Sequence, residues 1–63
     1  MKLLDVVVLS AALPEDGLAA GATGTIVHVF HSPRLAYEVE FVNSDGETAA
    51  LVTLRPDQVH PVD

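Results

Sequence analysis

The segment Tyr-Glu-Val-Glu-Phe at residues 37–41 constrains the fold most, because apolar and charged side chains alternate along it. Alternation with a period of two is typical of a β-strand with one buried face. We therefore expect three side chains in the core, Phe41 among them, and two carboxylates on the opposite face. The inward residues are Tyr37, Val39 and Phe41, and the outward residues are Glu38 and Glu40.

A hairpin turn is predicted directly after this strand. Asn-Ser-Asp-Gly at residues 43–46 separates two strand patterns, and Asp-Gly readily adopts the positive φ angles of tight turns. A loop with an even number of residues places three apolar residues of the next strand on the face of Phe41, whereas an odd loop places Glu47 and Thr53 there. The pattern favours the even loop. The three apolar residues are Ala50, Val52 and Leu54.

The remaining patterns predict further short strands and no helix. In the first strand, at 3–9, Asp5 marks the outer face, which places Leu4, Val6 and Val8 inward. A long loop follows at 10–22, with a turn at Pro-Glu-Asp-Gly. The other strands are predicted at 24–30, 36–42, 47–54 and 59–62, with a 3₁₀-like turn at 55–58. The expected fold is all-β: one domain, 1–63, forming a small five-stranded SH3-like barrel.

Glycines punctuate these strands, and we expect them to supply turn conformations. Gly21 and Gly24 are also expected to let strands approach closely. The predicted turn glycines are Gly17, Gly21, Gly24 and Gly46.

The charge of the chain bears on its partners. The chain has nine acidic residues and only three basic ones, Lys2, Arg34 and Arg55, so its formal net charge is −6. Nucleic-acid binding requires clustered Lys and Arg to contact phosphates, so we expect no nucleic-acid partner.

The longest apolar run is far shorter than the roughly 18 residues of a membrane span, and Asp5 interrupts any signal-like segment. The chain also contains no cysteine. We expect a soluble, cytoplasmic protein that does not bind a membrane.

Three kinds of residue in this sequence are found in chemical sites: histidines, paired glutamates and serines. His28 and His31 are predicted to point to opposite faces of a strand, whereas a zinc site needs three or four convergent ligands. We therefore expect His28, His31 and His60 to be surface or rim residues and expect no metal site. Glu38 and Glu40 are roughly 6.5–7 Å apart by strand rise, a spacing that paired catalytic carboxylates also show. A barrel of this size offers little room for a cleft, and its serines fall in loops. We therefore expect a solvated acidic patch, no enzymatic activity and no cofactor.

The order of these segments resembles known families. "GLAAGATGTIVHVF" is similar to the KOW-type element of ribosomal and transcription-factor barrels. "GTIVHVF…AYEVEFV" followed by "LRPDQVHPV" resembles electron-transport accessory barrels, among them the small photosystem I peripheral subunit and the nitrile hydratase β-chain terminal domain. Over nearly the whole chain, "LDVVVL", "LPEDGLAAGATGTIVHVF", "AYEVEFV", "DGETAALVTL" and "DQVHPV" resemble an uncharacterised domain family of small bacterial proteins. That resemblance implies an SH3-like fold and an accessory or antitoxin-like partner of another protein.

These observations predict a non-catalytic protein-interaction module, and the acidic surface indicates a basic protein partner. The alternatives are a docking subunit of a redox or hydratase-type complex, and self-assembly through an outer strip containing Leu3, Val7 and Leu9. The candidate contact residues are Glu38, Glu40, Glu47, Glu15, Asp16 and Leu18.

Overall fold

Antiparallel strands make up one sheet in a computed structural model of the chain, which describes residues 1–62. These residues form five strands in the order β4-β3-β2-β1-β5, with two short 3₁₀ turns. The all-β class, the long first loop and the turn before the last strand are confirmed. Asp63 lies outside the described residues. The elements are β1 Val6–Leu9, the turn Pro14–Asp16, β2 Thr23–Phe30, β3 Ala36–Val42, β4 Thr48–Leu54, the turn Pro56–Gln58 and β5 Val59–Pro61.

The sheet does not close into a barrel. Among the described residues β4 and β5 are its two edges, and no pairing joins them. Closure would require a ladder between these strands, but β5 has only three residues, and Pro61 has no N–H to donate. The predicted barrel is therefore an open, five-stranded antiparallel sheet.

The β3–β4 hairpin has the predicted faces. Tyr37 pairs with Leu54 and Val39 with Val52, so the apolar sides of both strands coincide. The loop itself, residues 43–47, is odd rather than even. The register shifts after Phe41, where Ala49 is the extra residue, and this bulge restores the parity that the hydrophobic pattern requires.

The predicted faces of the first strand are wrong. Val7 and Leu9 are buried at 0% and 1% exposure, whereas Val6 is 48% exposed. The reason is a turn at residues 2–5: the Asp5 amide donates to the Lys2 carbonyl, and the Lys2 amide donates to the Asp5 carboxylate. Asp5 closes this turn instead of marking a strand face, so β1 starts only at Val6. Val7 and Leu9 lie in the core, so they do not form the exposed outer strip expected with Leu3, which is 53% exposed.

The core lies on one side of the sheet and receives side chains from every strand. Ile26 and Val39 at its centre are fully buried, and Phe41 is 2% exposed, as predicted. Within residues 1–62 no buried side-chain polar atom lacks a hydrogen-bond partner. The buried residues are Val7, Leu9, Ile26, Tyr37, Val39, Phe41, Leu54 and Val59.

Three of the four predicted turn glycines have the expected conformation. Gly17, Gly21 and Gly46 have φ angles of 69°, 89° and 80°. Gly24 is different, because it lies inside β2, is buried and pairs with Phe41. A Cβ atom there would lie 2.6 Å from Val39 Cγ1, so Gly24 permits close approach of strands and is not a turn residue.

Candidate functional site

The side of the sheet opposite the core, which we call the outer face, carries two carboxylates on β3. Glu38 and Glu40 are half-buried, and each accepts a hydrogen bond from a threonine of the neighbouring strand. The Thr53 hydroxyl donates to Glu38, and the Thr48 hydroxyl donates to Glu40 over 2.7 Å. These bonds fix both carboxylates against β4.

No cation neutralises the outer face from within the sheet. The five strands formed by residues 1–62 contain no Lys or Arg, and their only charged residues are Glu38 and Glu40. Arg55, after β4, forms an exposed ion pair with Asp57 at 3.0 Å. The sheet surface is therefore negatively charged, and a cationic partner could approach it without competition from the strands.

The connections between strands extend this negative charge towards one end of the sheet. The loop 10–22 and the turn 43–47 both lie at the end of the sheet where β1 and β3 finish. The basic residues occupy the other ends of these strands: Lys2 precedes β1, Arg34 lies between β2 and β3, and Arg55 follows β4. The charge is thus polarised along the sheet. The acids in the first group of connections are Glu15, Asp16, Asp45 and Glu47.

Glu47 lies beside the outer face rather than on it. It is exposed and ends the turn 43–47, next to Thr48. The Asn43 side-chain oxygen accepts from the backbone amides of Asp45 and Glu47 at 3.0 and 3.1 Å, which orders this turn. Of the three glutamates predicted to form a patch, Glu38 and Glu40 therefore lie on the outer face and Glu47 lies at its margin.

The first loop presents two of its three predicted contact residues. Glu15 and Asp16 are exposed in the 3₁₀ turn Pro14–Asp16. Leu18 is only partly exposed and packs against the core, while its backbone pairs with Leu13. Leu18 therefore contributes to folding, and the carboxylates are the accessible groups of this loop.

The three histidines have separate surroundings. His28 packs edge-on against Phe30, with ring centroids 4.6 Å apart. His60, on β5, shares a 2.9 Å hydrogen bond with the Ser10 hydroxyl. His31 follows the end of β2, so strand alternation does not separate it from His28, and both line a cleft of about 400 Å³. Within residues 1–62 there is no cluster of three potential metal ligands.

Sequence reasoning missed the β4 side chains that shape the outer face. Thr48 and Thr53 hold the carboxylates, while Leu51 and Val42 are 55% and 54% exposed beside them. The alternation of residues 51–53, with Val52 inward, contains this information, because it places Leu51 and Thr53 outward. The surface therefore combines carboxylates with aliphatic side chains.

A second cleft, of about 390 Å³, opens at the β2–β3 connection. It is lined by Phe30, Ser32, Pro33, Arg34, Ala36 and Thr53. Its one charged lining residue is Arg34, and the outer-face carboxylates do not line it. Thr53 lines this cleft and also donates to Glu38, so the cleft adjoins the outer face although no carboxylate lines it.

Comparisons with known proteins complete this description. No helix among residues 1–62 has the length and apolar character needed to cross a membrane. No curated protein and no solved structure matches the chain. A family model described as a domain of unknown function, DUF4926, matches residues 3–61, which confirms the expected resemblance to an uncharacterised domain family. The chain therefore belongs to the DUF4926 family.

Proposed function

We propose that this chain is a non-catalytic protein-interaction module whose outer face binds a basic protein partner. The observation that carries the proposal is that Glu38 and Glu40 are the only charged residues of the strands in residues 1–62. Threonine hydroxyls hold both carboxylates, so little side-chain entropy remains to be lost on binding.

Exposed apolar groups beside the carboxylates support a protein as the partner. Leu51 and Val42 are more than half exposed and can pack against the aliphatic parts of Lys and Arg side chains. A polyanion would instead meet the net charge of −6, which repels phosphates. A partner with basic and aliphatic side chains complements both features of this surface.

The proposal includes the two cellular roles that the sequence suggested. An antitoxin-like regulator and a docking subunit of a larger complex would both use a charged face to recognise another protein. We also propose an SH3-like fold, supported by the strand order β4-β3-β2-β1-β5 and the 3₁₀ turn before β5. A bacterial cytoplasm is the proposed location, consistent with a chain that contains no cysteine.

A pair of matched charge reversals tests the proposal. E38K/E40K and E15K/D16K each change the net charge from −6 to about −2, but the first alters the outer face and the second alters the first loop. The partner is first captured from source cells with the wild-type protein, identified by mass spectrometry and purified. Association kinetics with both variants are then measured at low and at high salt.

We expect E38K/E40K to slow association by about tenfold or more at low salt, with a smaller loss at high salt. The E15K/D16K variant should lose much less. Equal losses would show that only the total charge matters, and an unchanged rate for E38K/E40K would refute binding at the outer face. The uncharged variant E38Q/E40Q controls for stability, because its side chains can still accept the threonine hydrogen bonds.

A further inference from the structure

β4 is an edge strand with a free side, and it carries none of the acidic residues. Hydrogen bonds elsewhere in the sheet establish the direction of its backbone groups. The Asn43 amide donates to the Glu47 carbonyl, so the alternate residues Phe41 and Val39 also point their amides towards β4. Ile26 forms backbone hydrogen bonds with the turn at residues 2–5, so its backbone groups point away from β3. Its neighbour Thr25 therefore points towards Glu40 on β3, which again leaves Val39 and Phe41 pointing towards β4.

This phase determines which β4 residues have free backbone groups. Val52 pairs with Val39 and directs its N–H and C=O groups towards β3. Leu51 and Thr53 therefore direct theirs away from the sheet, at an edge where the described residues place no further strand. Such an edge is a template for pairing with another strand.

The two edges of the sheet differ in protection. β5 has three residues and includes Pro61, whose missing N–H blocks pairing. β4 has seven residues, with no charged side chain and no proline among them. Of the devices that normally keep edge strands from pairing, β5 has a proline and a short length, whereas β4 has only the bulge at Ala49, outside residues 51–53.

We propose that β4 pairs with β4 of a second copy of this chain, in antiparallel orientation about a two-fold axis at Val52. Leu51 of each copy then lies opposite Thr53 of the other, and these two pairs exchange four backbone hydrogen bonds. The two Val52 side chains meet on the core side, where each already packs against the cluster of buried residues.

Charge favours a second copy over a basic strand as the occupant. β4 carries no charged side chain, so the seam places no like charges opposite one another, and a basic strand would find no carboxylate on β4 to pair with. The carboxylates of β3 lie three strand spacings, about 14 Å, from those of the second copy, beyond the Debye length of about 8 Å at physiological salt. The proposal does not depend on the proposed function.

The seam is small, so its affinity should be low. Two seven-residue strands cover less than the roughly 800 Å² per partner of a standard interface. We expect a dimer that forms between about 10 µM and about 1 mM. Higher salt should strengthen it, because salt screens the repulsion between two chains of net charge −6.

Sedimentation equilibrium over this concentration range tests the proposal with two variants at one position. Leu51→Pro removes an N–H that points away from β3, so the hairpin keeps its own hydrogen bonds and only the seam loses a donor. Leu51→Ala keeps the N–H and shortens the side chain. We expect Leu51→Pro to remain monomeric throughout and Leu51→Ala to dimerise within about tenfold of the wild-type affinity.

Amide hydrogen exchange on the wild-type protein tests the same seam without a substitution. The amides of Leu51 and Thr53 should gain protection as the concentration rises, whereas the Val52 amide should be protected at every concentration. A wild-type protein that is monomeric at about 1 mM, a Leu51→Pro variant that dimerises like the wild type, or a dimer with unprotected Leu51 and Thr53 amides would overturn the proposal.

Discussion

Gly24→Ala tests whether close approach of β2 and β3 determines how tightly the core packs. Gly24 lies inside β2 opposite Phe41. An added Cβ atom would lie 2.6 Å from Val39 Cγ1, 2.9 Å from Phe41 Cε1 and 3.0 Å from the Glu40 carbonyl oxygen. Two of these contacts are to core side chains and the third is to backbone, so relief requires the two strands to separate locally.

The expected cost follows from these distances. Inserting one methyl group into a well-packed core typically destabilises a protein by about 1–3 kcal/mol. Three contacts at or below 3.0 Å, one of them to backbone, place Gly24→Ala towards the upper part of that range. A 63-residue domain has a total stability of about 3–9 kcal/mol, so the variant should lose a large fraction of it.

Urea unfolding provides the measurement. The chain has one tyrosine and no tryptophan, and Tyr37 is buried at 3% exposure, so its emission reports on the core alone. We expect the urea midpoint of Gly24→Ala to fall with little change in the slope of the transition, because the unfolded state is nearly the same.

A double-mutant cycle with Val39→Ala identifies the cause. Val39→Ala alone removes buried methyl groups and should cost about 2 kcal/mol. It also removes the Cγ1 atom nearest to the added methyl, so the double variant should be more stable than the sum of the single effects by about 1 kcal/mol. The contacts to Phe41 and to the Glu40 carbonyl persist, so the rescue should be partial.

Gly21→Ala is the matched control. It adds the same methyl group where no atom lies within 4 Å, at a φ of +89° that L residues rarely adopt. Its cost, about 1–2 kcal/mol, comes from the backbone and should add to that of Val39→Ala without any rescue. A neutral Gly24→Ala, or a strictly additive cycle between Gly24 and Val39, would refute the reasoning.

Two further substitutions test other parts of the fold by the same unfolding assay. Phe41→Ala should cost about 3–5 kcal/mol and leave the protein largely unfolded, because Phe41 is 2% exposed. An unchanged urea midpoint would place the ring outside the core. Leu4→Gly should stabilise the protein by up to about 1 kcal/mol. Leu4 has a φ of +71° and its side chain is 70% exposed, so the relief of backbone strain outweighs the loss of the side chain. A loss of stability in Leu4→Gly would show that the Leu4 side chain contributes more than its backbone strain costs.

The hairpin was predictable because two independent signals agree there. Alternation in β3 defines its faces, and the apolar residues of β4 allow only one phase against it. The loop length was not predictable to one residue, because a bulge at Ala49 compensates for an odd turn. Hydrophobic pairing determines the register over the length of the strand, and the turn adapts to it.

The first strand shows why a single polar residue is weak evidence for a strand face. Residues 3–9 are apolar apart from Asp5, so the sequence contains no alternation from which a phase could be deduced. Asp5 is polar for a local reason, because its carboxylate accepts from the Lys2 amide in a turn. The burial of Val7 and Leu9 depends instead on pairing with β2 and β5, which sequence patterns do not reveal.

The candidate site was predictable in part. The shared face of Glu38 and Glu40 follows from alternation, and the structure places them as expected. The threonine hydroxyls that hold them depend on the cross-strand register, which puts Thr53 opposite Glu38. The packing of Leu18 against the core was not predictable, because it depends on how the first loop folds onto the sheet, which sequence patterns do not reveal.

The outer face and the β4 edge share Leu51, so they are separated by comparing Leu51→Pro with Leu51→Ala. Both substitutions remove the leucine side chain, and only the proline removes the N–H that the seam requires. A two-fold axis perpendicular to a continuous antiparallel sheet keeps both outer faces on the same side, so a dimer would present four carboxylates on one surface. A partner that engages both copies would gain affinity through effective concentration, without any new contact. Leu51→Pro should then weaken binding more than Leu51→Ala only for such a bivalent partner. E38K/E40K should weaken binding to any basic partner without weakening dimerisation, because it lowers the repulsion between the two copies. A partner whose affinity falls with E38K/E40K, and falls more with Leu51→Pro than with Leu51→Ala, uses the outer face as a dimer. A partner whose affinity falls with E38K/E40K but equally with the two Leu51 variants binds the single chain.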